Sequence, residues 1–327
     1  MNPKSRLPRP RSNRLVCAWV LAITLGWLIE PHAASPRTFA PDRPAALQRL
    51  ANDIVRDTQL RFAGEQLATN QFAFTLVDLR NPEKPALAGY RGDVPIYPAS
   101  VIKLFYLVAT HQWLEDGRLQ ETDELQRALH DMIVESYNEA THYVVDLLTG
   151  TTSGPELPAE ELRVWFDRRN AVNRYFTSLG YSNINASKKP WCEGPYGREM
   201  QAIKAFEPKR NALTTDATAR LMVEIVTRQA VSPARCEAMM KLLRRDPFAD
   251  TKDPDDQAKF SGPGLPAGAK LWSKAGWTSD TRHDAIYVEL PDGGRFVLVT
   301  FTTDHANNRE ILPHIARSVV RGLQTRP

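Results

Sequence analysis

The stretch Tyr97-Pro98-Ala99-Ser100-Val101-Ile102-Lys103-Leu104 decides how the rest of the chain is read. It joins a proline-containing approach to a run in which Leu104, Leu107 and Val108 recur at helical intervals, so a helix is predicted to start near Ser100. Ser100 and Lys103, three positions apart, then share one helical face. A serine hydroxyl is a poor nucleophile until a neighbouring group takes its proton, and a lysine amine does so only when burial or a nearby cation lowers its pKa. The helix start also aims backbone N–H groups and partial positive charge at the point where an oxyanion would develop. About one serine-x-x-lysine pair is expected by chance in a chain this long, and a capping Ser100 with an exposed Lys103 is the commoner reading of the pair alone. The pair acquires meaning only from its surroundings.

On the N-terminal side, Leu47, Leu50, Ile54 and Val55 within Ala45 to Leu60 predict an amphipathic helix, and Phe72 to Leu79 alternates like a strand. Asn81 and Pro82 punctuate it, with Gly89 to Ile96 as the expected hairpin partner. From Ser100 to about Arg245 the pattern is helical, with starts near Ser100, Asp123, Asn138, Ala159, Thr215 and Pro233; Ser182 to Asn211, polar and broken by prolines, reads as a long ordered loop. Strand signals return at Ala269 to Ser273, His283 to Leu290 and Arg295 to Thr302, before a helix from Asn308 to Leu323. This order predicts an α+β fold, a three-layer α/β/α sandwich. Its antiparallel five-stranded sheet is flanked by helices (about 45–98 and 265–327), with an inserted all-helical lobe (about 99–264). A cleft between lobe and sheet is the expected site.

Lys4, Arg6, Arg9, Arg11 and Arg14 precede an uncharged run from Leu15 to Ile29, followed by Ala33 and Ala34. This is the layout of a secretory signal peptide over residues 1–34; fifteen apolar residues fall short of the roughly 20 that span a bilayer. A periplasmic or secreted protein is expected, with no stable membrane partner once the signal is removed. Its loss takes five cations and Glu30 and leaves the two signs of charge balanced, which excludes the basic footprint of a nucleic-acid partner. Cys192 and Cys236 then remain, as one disulfide or as two buried thiols. Seven histidines show no metal-binding spacing and no G-x-S-x-G elbow is present, so neither a metal nor another cofactor is expected.

Ser136-Tyr137-Asn138 lies at the junction of two predicted helices, and Ser273-Lys274-Ala275-Gly276 ends a predicted strand before Trp277. Together with Ser100-x-x-Lys103 and in this order, the motifs resemble those of class A β-lactamases and penicillin-binding proteins. Tyr97-Pro98-Ala99, Asn138-Glu139-Ala140-Thr141, Leu213-Thr214-Thr215 and His283-Asp284-Ala285 extend the similarity from about Ala45 to the C-terminus. The resemblance implies Ser100 as nucleophile, Lys103 as its base, and Ser136 as proton relay to the leaving nitrogen. It implies Asn138 and Lys274 as substrate-binding groups, and the N–H groups of Ser100 and Trp277 as an oxyanion hole.

Four departures qualify that picture. Tyr137 stands where the family has an aspartate. Ala275 stands where it has a hydroxyl residue, leaving Thr278, Ser279 and Arg282 as candidates to bind a substrate carboxylate. The 36 positions between Ser100 and Ser136 shorten one wall of the cleft. The family's E-x-x-L-N element, whose glutamate activates the deacylating water, is absent; Glu193, in Trp191-Cys192-Glu193, is the first candidate to replace it, ahead of Glu199 and Glu207. The resulting expectation is an exported serine hydrolase that forms an acyl-enzyme on a small-molecule β-lactam or a cell-wall peptide. Alternatives are a slowly deacylating D-alanyl-D-alanine carboxypeptidase and a non-catalytic binding module.

Overall fold

Side chains on successive strand residues point to opposite faces, and the central strands of this chain are buried on both. The computed structural model describes residues 39–325; the leader expected over residues 1–34 lies outside them. Strands β1 (Phe72–Asp78), β2 (Ala86–Tyr90), β3 (Arg244–Arg245), β4 (Lys270–Trp277), β5 (Thr281–Glu289) and β6 (Arg295–Thr303) form one sheet. Its order is β2-β1-β6-β5-β4-β3 and every neighbouring pair is antiparallel. One face sends Phe72, Phe74 and Leu76 of β1 and Phe296 and Leu298 of β6 into a core shared with two helices, α1 (Ala45–Arg61) at the start and the C-terminal helix Ile311–Gln324. The other face sends Val77, Val297, Val299 and Phe301 into the core of the helical lobe. Each large apolar side chain so buried contributes about 1.5–3 kcal/mol.

That lobe is built from α2 (Lys103–Glu115), α3 (Asp123–Ile133), α4 (Asn138–Thr149), α5 (Ala159–Arg169), α6 (Ala171–Ser178), α7 (Gly197–Ala205), α8 (Thr215–Val226) and α9 (Pro233–Leu243); the C-terminal helix is α10. α2 is buried on all sides except near its C-terminal turn, which makes it the central helix of the lobe. α8 is capped by Thr214, whose hydroxyl accepts the N–H of Ala217, and is tied to β1 by the bond from Thr75 to Asp216.

Three expectations are corrected. The sheet has six strands where five were expected, because two-residue β3 pairs with Leu271 and Trp272 at the far edge and is too short to carry a period. The partner of β1 is Ala86–Tyr90, not Gly89 to Ile96: the chain turns at Arg91, which has φ 53°, and Ile96 leaves the sheet to bridge Leu213. The segment Ser182 to Asn211 contains α7, a helix held by a buried charge rather than by an apolar stripe. Among the described residues no helix is long and apolar enough to cross a membrane, and no group of three His, Cys, Asp or Glu side chains is placed to hold a metal ion.

Candidate active site

The approach to Ser100 is held by β5 and β4. His283 of β5 is fully buried; its Nδ1 accepts the N–H of Thr302, so its Nε2–H is the donor to the carbonyl of Tyr97 at 2.9 Å. Gly276 of β4 lies against the same segment so closely that a β-carbon there would fall 2.7 Å from the nitrogen of Ser100 and 2.9 Å from the carbonyl oxygen of Pro98. Ser100 lies in a 3-10 turn, Ala99–Ile102, that runs into α2 at Lys103, instead of in the α-helix expected there. Residues three apart eclipse one another in a 3-10 turn, so Ser100 and Lys103 keep a common side.

Ser100 lines a cleft of about 1000 Å³ together with Ser136, Asn138, Cys192, Gln257, Trp277 and Thr278. Lys103 is completely buried. Its Nζ donates to the carbonyl of Ser136 at 2.5 Å and to Asn138 Oδ1 at 3.0 Å, and lies 3.3 Å from Ser136 Oγ. These acceptors are neutral, and burial lowers the Lys103 pKa to about 7, against weaker opposing pulls from Cys192 and Glu139. Ser136 presents its carbonyl and hydroxyl to the same amine from a left-handed backbone, φ 60°. Asn138 follows as the first residue of α4.

Lys274, also completely buried, reaches the same hydroxyl from β4. Its Nζ donates to Ser136 Oγ at 2.9 Å, to Gln257 Oε1 at 2.7 Å and to the carbonyl of Ala275 at 2.8 Å. Three acceptors suit an ammonium, while burial, followed by repulsion from Lys103 and Arg245, pulls its pKa well below that of a free lysine. Gln257 also accepts the N–H of Ala275 and donates to the carbonyls of Ile133 and Val134. On β4 the N–H of Thr278 is bonded to Thr281; by the alternation of an antiparallel ladder, the N–H groups of Ala275 and Trp277 point away from β5, toward the side of Gln257.

The opposite wall is the segment that holds Trp191 and Cys192. Lys189 bonds Asp146 at 2.8 Å, Arg169 bonds Glu199 at 2.7 Å, and the carbonyl of Lys188 accepts from Tyr106 and Asn211, all in buried or half-buried surroundings. Cys192 Sγ accepts the Nδ2–H of Asn138 at 3.2 Å. Glu193 is exposed and does not line the cleft. Glu199 is committed to Arg169 and Ser153, and Glu207 pairs with Lys209 at the surface.

The candidates for carboxylate binding separate. Thr278 lines the cleft, with its hydroxyl accepting the N–H groups of Asp280 and Thr281. Arg282 is buried, paired with Asp255 at 3.0 Å and stacked over Phe260. Ser279 lines a different depression with Asp304 and His305. Trp277 is exposed at the cleft, whereas Trp272 packs against Tyr287 and Arg244. Cys192 is exposed and Cys236 is buried in α9, so the two are neither joined in a disulfide nor both buried. Sequence reasoning missed Gln257 and the contact between Cys192 and Asn138: the first opens a three-residue 3-10 turn, Gln257–Lys259, too short to carry a period, and the second exists only in the folded chain.

The model of the beta-lactamase enzyme family matches residues 58–323. No curated protein sequence matches the chain. Among solved structures, PBP-A is 20% identical with a TM-score of 0.61, the match covering 88% of this chain and 100% of PBP-A. A beta-lactamase from Sphaerobacter thermophilus is 19% identical with a TM-score of 0.61, covering 85% and 98%. A mutant of the class A beta-lactamase of the last common ancestor of Gram-negative bacteria is 17% identical with a TM-score of 0.60, covering 85% and 100%.

Proposed function

The chain belongs to the beta-lactamase enzyme family, and from that membership we propose that it opens the amide bond of β-lactams through an acyl-enzyme on Ser100. The observation that carries the reading is the Ser136 hydroxyl, 3.3 Å from the amine of Lys103 and 2.9 Å from that of Lys274. A hydroxyl between two buried amines is a route for a proton.

In the proposed reaction, neutral Lys103 takes the proton of Ser100 as its oxygen bonds the substrate carbonyl carbon. The N–H groups of Ser100 and Trp277 face the oxyanion; one such donor is worth about 3 kcal/mol of barrier. The C–N bond then breaks, the leaving nitrogen receives the proton of Ser136, and protonated Lys103 returns one to Ser136, which restores both groups. Asn138, Lys274, Trp277 and Thr278 bind the substrate in this scheme, and Lys274 adds positive potential beside the relay. The charged leader followed by an uncharged run supports export to the periplasm or beyond.

A second reading, a penicillin-binding peptidase with slow release of the acyl group, draws support from one contact: the group bonded to Asn138 on the far wall is a thiol, not a carboxylate. Incubation with a fluorescent penicillin separates the two. Labelling that needs Ser100 and persists for hours supports the peptidase, and rapid loss of label with consumption of penicillin supports the lactamase. Absence of labelling, with wild type and Ser100→Ala alike, rejects both and leaves a binding module.

A further inference from the structure

Asn138 stands between Lys103 and Cys192, with its oxygen 3.0 Å from the amine and its Nδ2 3.2 Å from the sulfur. A carboxamide has two nearly isosteric orientations, and only its neighbours decide between them. A neutral lysine amine has two N–H donors and one lone pair. In neutral Lys103 the carbonyl of Ser136 and Oδ1 of Asn138 take the two donors, which leaves the lone pair to accept a hydroxyl proton, with Ser136 Oγ at 3.3 Å as its other neighbour. Were the carboxamide turned over, its N–H would point at the amine, occupy that lone pair and leave Lys103 unable to accept a proton.

We infer that Cys192 is a positioning residue for the Ser100 reaction: by accepting the Nδ2–H of Asn138, its sulfur holds the carboxamide with its oxygen on Lys103 and so keeps the base available. The inference rests on the proposed role of Lys103 as base. It assigns to Cys192 an effect through Asn138 and none on the substrate itself. Other ionisable groups act on Lys103 from different elements: Glu139 from α4 favours its charged form and Lys274 from β4 opposes it, and both remain in every variant below.

Two measurements on the full chain test it. One is the titration of Lys103 in the free protein, followed by NMR of the 13C-labelled lysine ε-carbon and assigned by its loss in Lys103→Met. The other is the rate of acylation by a fluorescent penicillin across pH 5–9. Cys192→Ala is expected to lower the Lys103 pKa, because a donated N–H stabilises the neutral amine, and to slow acylation about tenfold. Cys192→Ser, which keeps an acceptor at this position, is expected to restore both toward wild type. Equal behaviour of the Ala and Ser variants would assign the effect to the charge of a thiolate and overturn the inference, as would an unchanged titration in Cys192→Ala. If the wild type takes no label, the proposed function fails while the titration still decides the role of Cys192.

Discussion

The backbone nitrogen of Ser100 lies 2.7 Å from the point where Gly276 would carry a β-carbon. The neighbouring atoms are backbone as well, the carbonyl of Pro98 and the nitrogen of Val101, both at 2.9 Å, so no flexible side chain can yield. Gly276→Ala must therefore displace either β4 or the turn that carries the nucleophile. Acylation by a fluorescent penicillin is expected to fall about 100-fold, the usual consequence of a misplacement near 1 Å, with the far-ultraviolet circular dichroism of the wild type. A rate within threefold of wild type would reject the contact as decisive.

Lys103 acts as a base only when neutral, so with its pKa near 7 the acylation rate should rise through pH 7 to a plateau, and Lys103→Met should remove nearly all of it. The same burial has a thermodynamic sign. Between about pH 7 and 10.5 the unfolded chain holds a proton on this residue that the folded chain does not, so folding stability from this group rises with pH across that window. Urea unfolding of wild type and Lys103→Met at pH 7 and pH 10 should give a wild type that gains on the variant at the higher pH.

Ser136 holds a left-handed backbone, φ 60°, that glycine adopts freely and other residues adopt at a cost. Ser136→Gly should be more stable than Ser136→Ala by about 1 kcal/mol in chemical denaturation, while both lose the proton relay and acylate slowly. Equal stabilities would mean that the surrounding contacts, not the dihedral, set the cost.

Cys192 is exposed and Cys236 is buried in α9, each as a thiol. Iodoacetamide applied to the folded protein should alkylate Cys192 and spare Cys236 until denaturant is added, as read by peptide mass mapping. A peptide pair linked through sulfur and released by reductant would contradict this arrangement.

The layers of the fold were legible because the strand signals of β1, β5 and β6 and the helical spacing in α1, α2 and α10 are local properties of the chain. Ser100, Ser136, Asn138 and Lys274 announced themselves as motifs, and the fold brings them to one cleft. What escaped reading depends on partners distant in sequence. β3 exists because Trp272 and Leu271 pair with it, and α7 is held where Glu199 meets Arg169 of α5. Local resemblance in Trp191-Cys192-Glu193 draws attention to the glutamate, yet the folded segment turns the preceding thiol toward Asn138 and leaves Glu193 exposed. Gln257 had no signal at all, since a glutamine in so short a turn looks like any other.

That glutamine joins β4 to the end of α3. Its amide nitrogen holds the end of α3 while its oxygen holds Lys274 and Ala275 on β4. Such a strut ties the lobe to the sheet at this edge. The width of the cleft at this edge should therefore follow the length of the side chain at 257, which sets how far apart α3 and β4 stand.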